Sequence, residues 1–147
     1  MEGGHNSQSL EVGNELSELM QVSAWLHAAG GLLKLSDTVI AELDVCAAEA
    51  VHNIIAHAYE DSLRHRIQVR MDRVTDGVRL EIEDDGLPFN PLDYPPLEPA
   101  ARLEEARLGG YGIHLMRSLM TECRYRRENG RNILTMSRSC KGNERPG

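Results

Sequence analysis

Ile67-Gln-Val-Arg-Met-Asp-Arg-Val-Thr-Asp-Gly-Val-Arg-Leu-Glu-Ile82 is the stretch that decides the fold. Ile67, Val69 and Met71 alternate with polar residues, and Val78, Leu80 and Ile82 do so again. Period-two alternation marks a strand buried on one face. Asp76-Gly77 between the two runs predicts the turn of an antiparallel hairpin. A second hairpin is predicted from Glu122–Arg127 and Asn132–Ser137, which flank Asn129-Gly130. Strands that arrive as hairpins, not singly between helices, predict an α+β fold. It is a two-layer sandwich with a mostly antiparallel sheet and helices on one face. A doubly wound parallel sheet is disfavoured on the same ground.

The flanking segments supply the helices. Leu10 to Val12 predicts a short first strand, and Glu15 to Ala28 a helix stopped by Gly30-Gly31. A second helix starts at Ser36 or Asp37 and runs to about Tyr59 without Gly or Pro. Along it Val39, Leu43, Ala47, Ala50, Ile54 and Ala58 recur at steps of three and four, one buried face. Residues 85–97 hold Gly86, Pro88, Pro91, Pro95 and Pro96 and read as loop. Residues 98–107 predict a short charged helix, and Ile113 to Met120 another. A single domain over residues 9–140 is expected, with flexible tails at 1–8 and 141–147.

Composition narrows the function. The chain has 147 residues, 41% apolar and 27% charged, which suits one globular domain. Sixteen Lys plus Arg against 23 Asp plus Glu give a formal net charge of −7. That excludes a general nucleic-acid binder and a polybasic membrane anchor, both of which need clustered cations. No run of about 18 apolar residues spans a bilayer, and the opening residues lack a signal-peptide pattern. Cys46, Cys123 and Cys140 form neither a CxxC nor a zinc pattern. A cytoplasmic setting is expected.

Three pieces carry the chemistry. Glu49, Asn53 and His57 lie at i, i+4 and i+8 on one face of the long helix. Glu83-Asp-Asp-Gly-Leu-Pro-Phe89 closes the central hairpin, and Gly109-Gly-Tyr-Gly112 runs straight into a helix. Singly, each reads as an ordinary feature: a solvated helix face, a structural histidine, a strand-ending turn, a glycine loop. Glu49 and Asn53, however, interrupt an apolar stretch, where polar groups need partners.

In order and spacing, these pieces resemble the GHKL ATPases, the superfamily of gyrase, heat-shock chaperone, histidine-kinase and mismatch-repair ATP-binding domains. More closely the chain is similar to the bacterial anti-sigma factor serine-protein kinases. Glu49-Ala-Val-His-Asn53-Ile-Ile-Ala-His57-Ala-Tyr59 matches that family's N box, Ile82-Glu-Asp84-Asp-Gly86-Leu-Pro-Phe89 its first glycine box, and Leu108-Gly109-Gly110-Tyr-Gly112-Ile-His-Leu115 its second. Arg124 to Met136 resembles its closing hairpin. Tyr111 departs from the pattern, where a basic or aliphatic residue is frequent, and Leu87-Pro88 replaces a more glycine-rich stretch. No GxxxxGK[ST] is present, so a P-loop NTPase is excluded at motif level.

The resemblance implies ATP and Mg²⁺ as cofactors. It implies a nucleotide site built from Asn53, His57, Asp84, Gly86, Phe89, Gly109, Gly110, Gly112 and Thr135. In it Asn53 is the Mg²⁺ ligand, Asp84 reads adenine, Gly86 allows close approach to the base, and Thr135 reaches adenine directly or through water. The glycines of the second box bare N–H groups to the phosphates. Glu49 is then the catalytic base or orienting carboxylate. Residues 90–108 correspond to an ATP lid. The implied function is an ATP-dependent serine/threonine protein kinase and anti-sigma regulatory factor. It phosphorylates a STAS-domain anti-anti-sigma protein in a partner-switching pathway, as a homodimer and in some cases bound to a sigma factor. The alternative is an ATP-binding regulatory protein that sequesters a sigma factor or other regulator without significant kinase activity.

Overall fold

A computed structural model describes residues 6–61, 63–93 and 111–140. Strand β1 is Ser7–Gly13, and helices α1 (Leu19–Leu32) and α2 (Asp37–His57) follow. Strands β2 (Arg66–Val74) and β3 (Gly77–Asp84) precede helix α3 (Tyr111–Leu119), and β4 (Glu122–Glu128) and β5 (Arg131–Ser139) complete the order. The charged helix expected at 98–107, most of the lid segment, Gly109 and Gly110 lie outside the described residues.

The sheet order is β1-β2-β3-β5-β4, and every pairing is antiparallel. Alternation sorts the side chains. Ile67, Val69 and Met71 of β2, Val78, Leu80 and Ile82 of β3, and Leu134 and Met136 of β5 are buried against the helices. Val22, Leu26 and Ala29 of α1, Val39, Leu43, Ala47, Ala50 and Ile54 of α2, and Ile113 and Met116 of α3 meet them. The other face of the sheet carries a ladder of charges. Asp72, only 7% exposed, accepts from Ser7 Oγ at 2.5 Å, Arg70 Nε at 3.2 Å and Arg79 Nη2 at 3.3 Å. Burial opposes ionisation of Asp72, but these donors outweigh it and hold the carboxyl below its ordinary value.

Several expectations are corrected. The first strand starts at Ser7, inside the expected tail. The first helix does not stop at Gly30-Gly31 but runs through to Leu32. A Cβ on Gly30 would sit 2.7 Å from Ile40 Cγ1, so this glycine lets α1 press against α2. Lys34, at φ 62°, takes the left-handed position after the helix. Ser36 caps α2 as expected, its Oγ accepting from Val39 N at 3.2 Å. The turn between β2 and β3 is Thr75-Asp76, not Asp76-Gly77: Val74 pairs with Gly77, and Asp76 has φ 61°. Gly77 begins β3 because a Cβ there would lie 2.6 Å from the Arg138 carbonyl oxygen. Asn129 and Gly130, at φ 54° and 76°, form the second hairpin turn where it was expected.

Candidate nucleotide site

Helix α2 lays one face along a narrow crevice between itself, the end of β3 and the start of β5. Ala50, Asn53 and Ile54 line it from α2, Ile82 and Asp84 from β3, and Asn132 and Leu134 from β5. The three polar residues of the helix face are spread along it. Asn53, 4% exposed, sits in the cleft. His57, one turn on, places its ring 5.5 Å from that of Phe89. Glu49, one turn earlier, lies against the start of α3, where a Cβ on Gly112 would fall 1.9 Å from the Glu49 Cδ. The second glycine box therefore reaches the N box through Gly112, and the first turn of α3 lies beside the Glu49 side chain.

Asp84 closes the floor of the cleft and is 2% exposed. Its Oδ2 accepts from Gly86 N at 2.8 Å and from Asn132 Nδ2 at 3.0 Å. Burial pushes its carboxyl above the ordinary range, and those two bonds pull against the shift. Burial likewise pushes the Glu49 carboxyl up, opposed by His52. A carboxylate with a raised pKa is a better proton acceptor than an exposed one.

Glu49 Oε2 and Asn53 Nδ2 are buried without a hydrogen-bond partner among the described residues. Such a group forfeits about 1–3 kcal/mol. Two of them on one helix face, one turn apart and bordering a cleft, fit a polar ligand. Among the described residues no three His, Cys, Asp or Glu side chains gather to hold a metal. The unpartnered Asn53 Nδ2 is a donor and suits a phosphate oxygen, while a cation here would rest on the oxygen of the same amide with most of its shell from water and phosphate. That is the habit of Mg²⁺, so the residues present fit Mg²⁺ bound with a polyphosphate.

The structure thus brings Asn53, Asp84 and Phe89 to one cleft, with Glu49 and His57 one helical turn to either side of Asn53, His57 beside Phe89 and Gly112 against Glu49. Gly86 is there too. Its missing Cβ would meet the Ala58 carbonyl oxygen at 2.4 Å, and Leu87 N donates to that oxygen at 2.7 Å. The glycine serves docking of the loop onto the end of α2. Thr135 is not brought to the cleft. It pairs with Glu81 and Arg124 on the opposite face of the sheet, its Oγ1 3.4 Å from Glu81 Oε2. It lies three positions after Asn132, and an odd step reverses the side of a strand.

Sequence reasoning missed Asn132, Tyr125 and Arg127. Asn132, 5% exposed, stands across the ladder from Asp84. Tyr125 Oη and Arg127 Nη1 donate to its Oδ1 at 2.5 and 3.1 Å, and Arg127 Nη1 also donates to the Gly86 carbonyl at 2.7 Å. The signal available was parity: with the strand starting just after Gly130, Asn132 falls on the side of Leu134 and Met136.

Residues 13–138 match the family model described as the histidine kinase-like ATPase domain. The chain belongs to that family. Among its relatives, the serine/threonine-protein kinase BtrW of Bordetella bronchiseptica is 36% identical over 97 residues, 65% of this chain and 67% of that protein. The serine-protein kinase RsbW of Bacillus subtilis is 27% identical over 95 residues, 62% of this chain and 59% of that one. The matched region spans about three fifths to two thirds of these relatives' length. The histidine kinase domain of a blue-light activated histidine kinase from Erythrobacter litoralis superposes with a TM-score of 0.54 at 16% identity. That match covers 86% of this chain and 61% of the other, and shows the shared fold. No helix among the described residues is long and apolar enough to cross a membrane.

Proposed function

We propose that this chain is an ATP-dependent serine/threonine protein kinase. It transfers phosphate to a STAS-domain anti-anti-sigma protein in a cytoplasmic partner-switching pathway. The observation that carries the reading is Glu49: a half-buried carboxylate, one helical turn from Asn53 and against the first turn of α3, whose Oε2 is enclosed without a partner among the described residues. Bound Mg²⁺ would draw charge from the β- and γ-phosphates, with Asn53 as its protein ligand. Asp84, an acceptor only when ionised, takes the exocyclic amine of adenine, while Phe89 and His57 border the opening. The second glycine box and the start of α3 supply N–H groups to phosphate. Glu49 accepts the proton of the incoming serine hydroxyl. Positioning matters more than covalent help in phosphoryl transfer, so one carboxylate in a fixed place suffices.

The relatives named as serine or serine/threonine kinases support the same activity, and the partners follow from it. We place a homodimer and a sigma factor in the same proposal, with the STAS protein as phosphoacceptor. The test is to incubate the purified chain and Mg-ATP with the STAS-domain proteins of its own genome, and to map phosphoserine by mass spectrometry. Phosphate on one serine of one acceptor is expected. A tight complex with no transfer to any of them would overturn the kinase reading and favour the sequestering one.

A further inference from the structure

We propose that Asn132 is the positioning residue of the adenine reader. By holding Oδ2 of Asp84 it leaves Oδ1 as the one carboxylate oxygen offered to the base, and so fixes the preference for adenine over guanine. This rests on the reading of Asp84 given above. The Asn132 amide makes five hydrogen bonds. Asn132 Nδ2 donates to Asp84 Oδ2 at 3.0 Å and to the Leu87 carbonyl at 2.8 Å. Its Oδ1 accepts from Tyr125 Oη at 2.5 Å, Arg127 Nη1 at 3.1 Å and Phe89 N at 3.3 Å. The NH₂ end meets only acceptors and the oxygen end only donors. A flipped amide would face two acceptors with an oxygen and the Phe89 and Arg127 donors with an NH₂; only the Tyr125 hydroxyl could adapt, so four of the five partners select one orientation.

That orientation matters because of what Asp84 must do. Adenine presents an exocyclic amine where guanine presents a carbonyl oxygen. An ionised carboxylate oxygen accepts from the first and repels the second. A site that reads one hydrogen-bond pattern rejects the other strongly only when its group is held and cannot turn or take up a proton. Gly86 N and Asn132 Nδ2 both bind Oδ2. Gly86 belongs to a loop, whereas Asn132 is anchored through β4, by Tyr125 and Arg127, and through Phe89 N. The other charges about Asp84 are Asp85 in the loop, which disfavours its ionisation, and Arg127, which supports it. Tyr59, beyond the end of α2, feels the Asp84 charge in turn.

The test uses the whole chain without metal, with ADP and GDP as probes. Isothermal titration at pH 6, 7 and 8 gives both affinities for the wild type, Asn132→Ala and Asn132→Asp, with circular dichroism to verify folding. The wild type is expected to prefer ADP, with little change across this range. Asn132→Ala should weaken ADP about 10- to 100-fold, as loss of a bond to a charged group does, and leave GDP nearly unchanged. Asn132→Asp sets a second carboxyl where the amide donated, so the pair shares a proton. Its ADP affinity should then vary with pH across the same range, a signature that a merely structural asparagine would not produce. Should Asn132→Asp fail to fold, the Asn132→Ala comparison decides alone. Unchanged ADP over GDP preference in a folded Asn132→Ala protein would overturn this proposal while leaving the site reading intact. A wild type that binds neither nucleotide would overturn both.

Discussion

Replacing Gly112 by alanine separates the position of Glu49 from its presence. The new Cβ would lie 1.9 Å from Cδ, 2.1 Å from Cγ and 2.4 Å from Oε2 of Glu49. All three atoms belong to one flexible side chain, so the carboxylate must retreat by about 1.5 Å to regain ordinary contact at 3.4 Å. The fold should tolerate this. Alanine improves on glycine in a helix by about 0.8–1.0 kcal/mol, and an off-rotamer glutamate costs about 0.5–1.5 kcal/mol. The two nearly cancel, and Tm should stay within a few degrees. Catalysis should not tolerate it, because misplacing a reacting group by about 1 Å can cost about 10²-fold. The assay is single-turnover transfer to the STAS acceptor, with ADP affinity measured in parallel as a control on binding. Glu49→Gln alone should lose about 10²–10⁴ in transfer and keep nucleotide affinity within a few fold. In the Glu49→Gln background, Gly112→Ala should then add almost nothing, since both changes act through one group. A Gly112→Ala protein that transfers phosphate at the wild-type rate would refute the reasoning, as would a full additive loss in the double variant.

Three further outcomes are expected. Asn53→Ala should fold normally, since alanine suits a helix interior, but its ATP affinity should no longer depend on Mg²⁺; titration calorimetry with and without metal reads this. Asp84→Asn should weaken ATP and ADP alike by about 1.5–3 kcal/mol, and a loss confined to ATP would put Asp84 at the phosphates instead. Asp72→Asn should lower Tm at pH 7. The Asp72 carboxyl is held below its ordinary 3.8, so its contribution is present above that pH and lost as pH falls through the folded value. The gap in Tm between the two proteins should therefore close in acid, and a gap of constant size would mean that packing, not charge, is at stake.

Most of the fold is legible because period and punctuation agree. The long α2 carries one apolar face, a serine cap and no breaker, and the two hairpins alternate cleanly about their turns. The failures share a cause. Gly30 and Gly77 are read locally as breakers or turn formers, yet each answers to a neighbour distant in sequence: Ile40 in one case, the Arg138 carbonyl in the other. Asp76 then takes the left-handed position itself, which aspartate tolerates better than most residues. Within the site, Glu49, Asn53 and His57 are legible as one helical face because helix geometry fixes their mutual placement. Thr135 is misread because its chemistry was weighed before its parity. Asn132 is illegible as a hub since all five of its partners come from β3, its following loop and β4, and only the β3–β5 register puts it beside Asp84.

The place of β5 in the sheet orders events during synthesis. It is the last strand of the described residues to be made, yet it lies in the interior between β3 and β4. Until it enters, β3 offers a bare edge and the sheet has a gap. Local hairpin β2–β3 can form early, whereas β3–β5 closure joins residues such as Glu81 and Thr135 and must overcome a larger loop entropy. Asn132 and Leu134 arrive with that closure, so the cleft has no wall on that side beforehand. A nascent chain that has not yet released β5 from the ribosome is therefore expected not to bind nucleotide, however well its N box and first glycine box are formed. Nucleotide capture becomes a report that the sheet is complete.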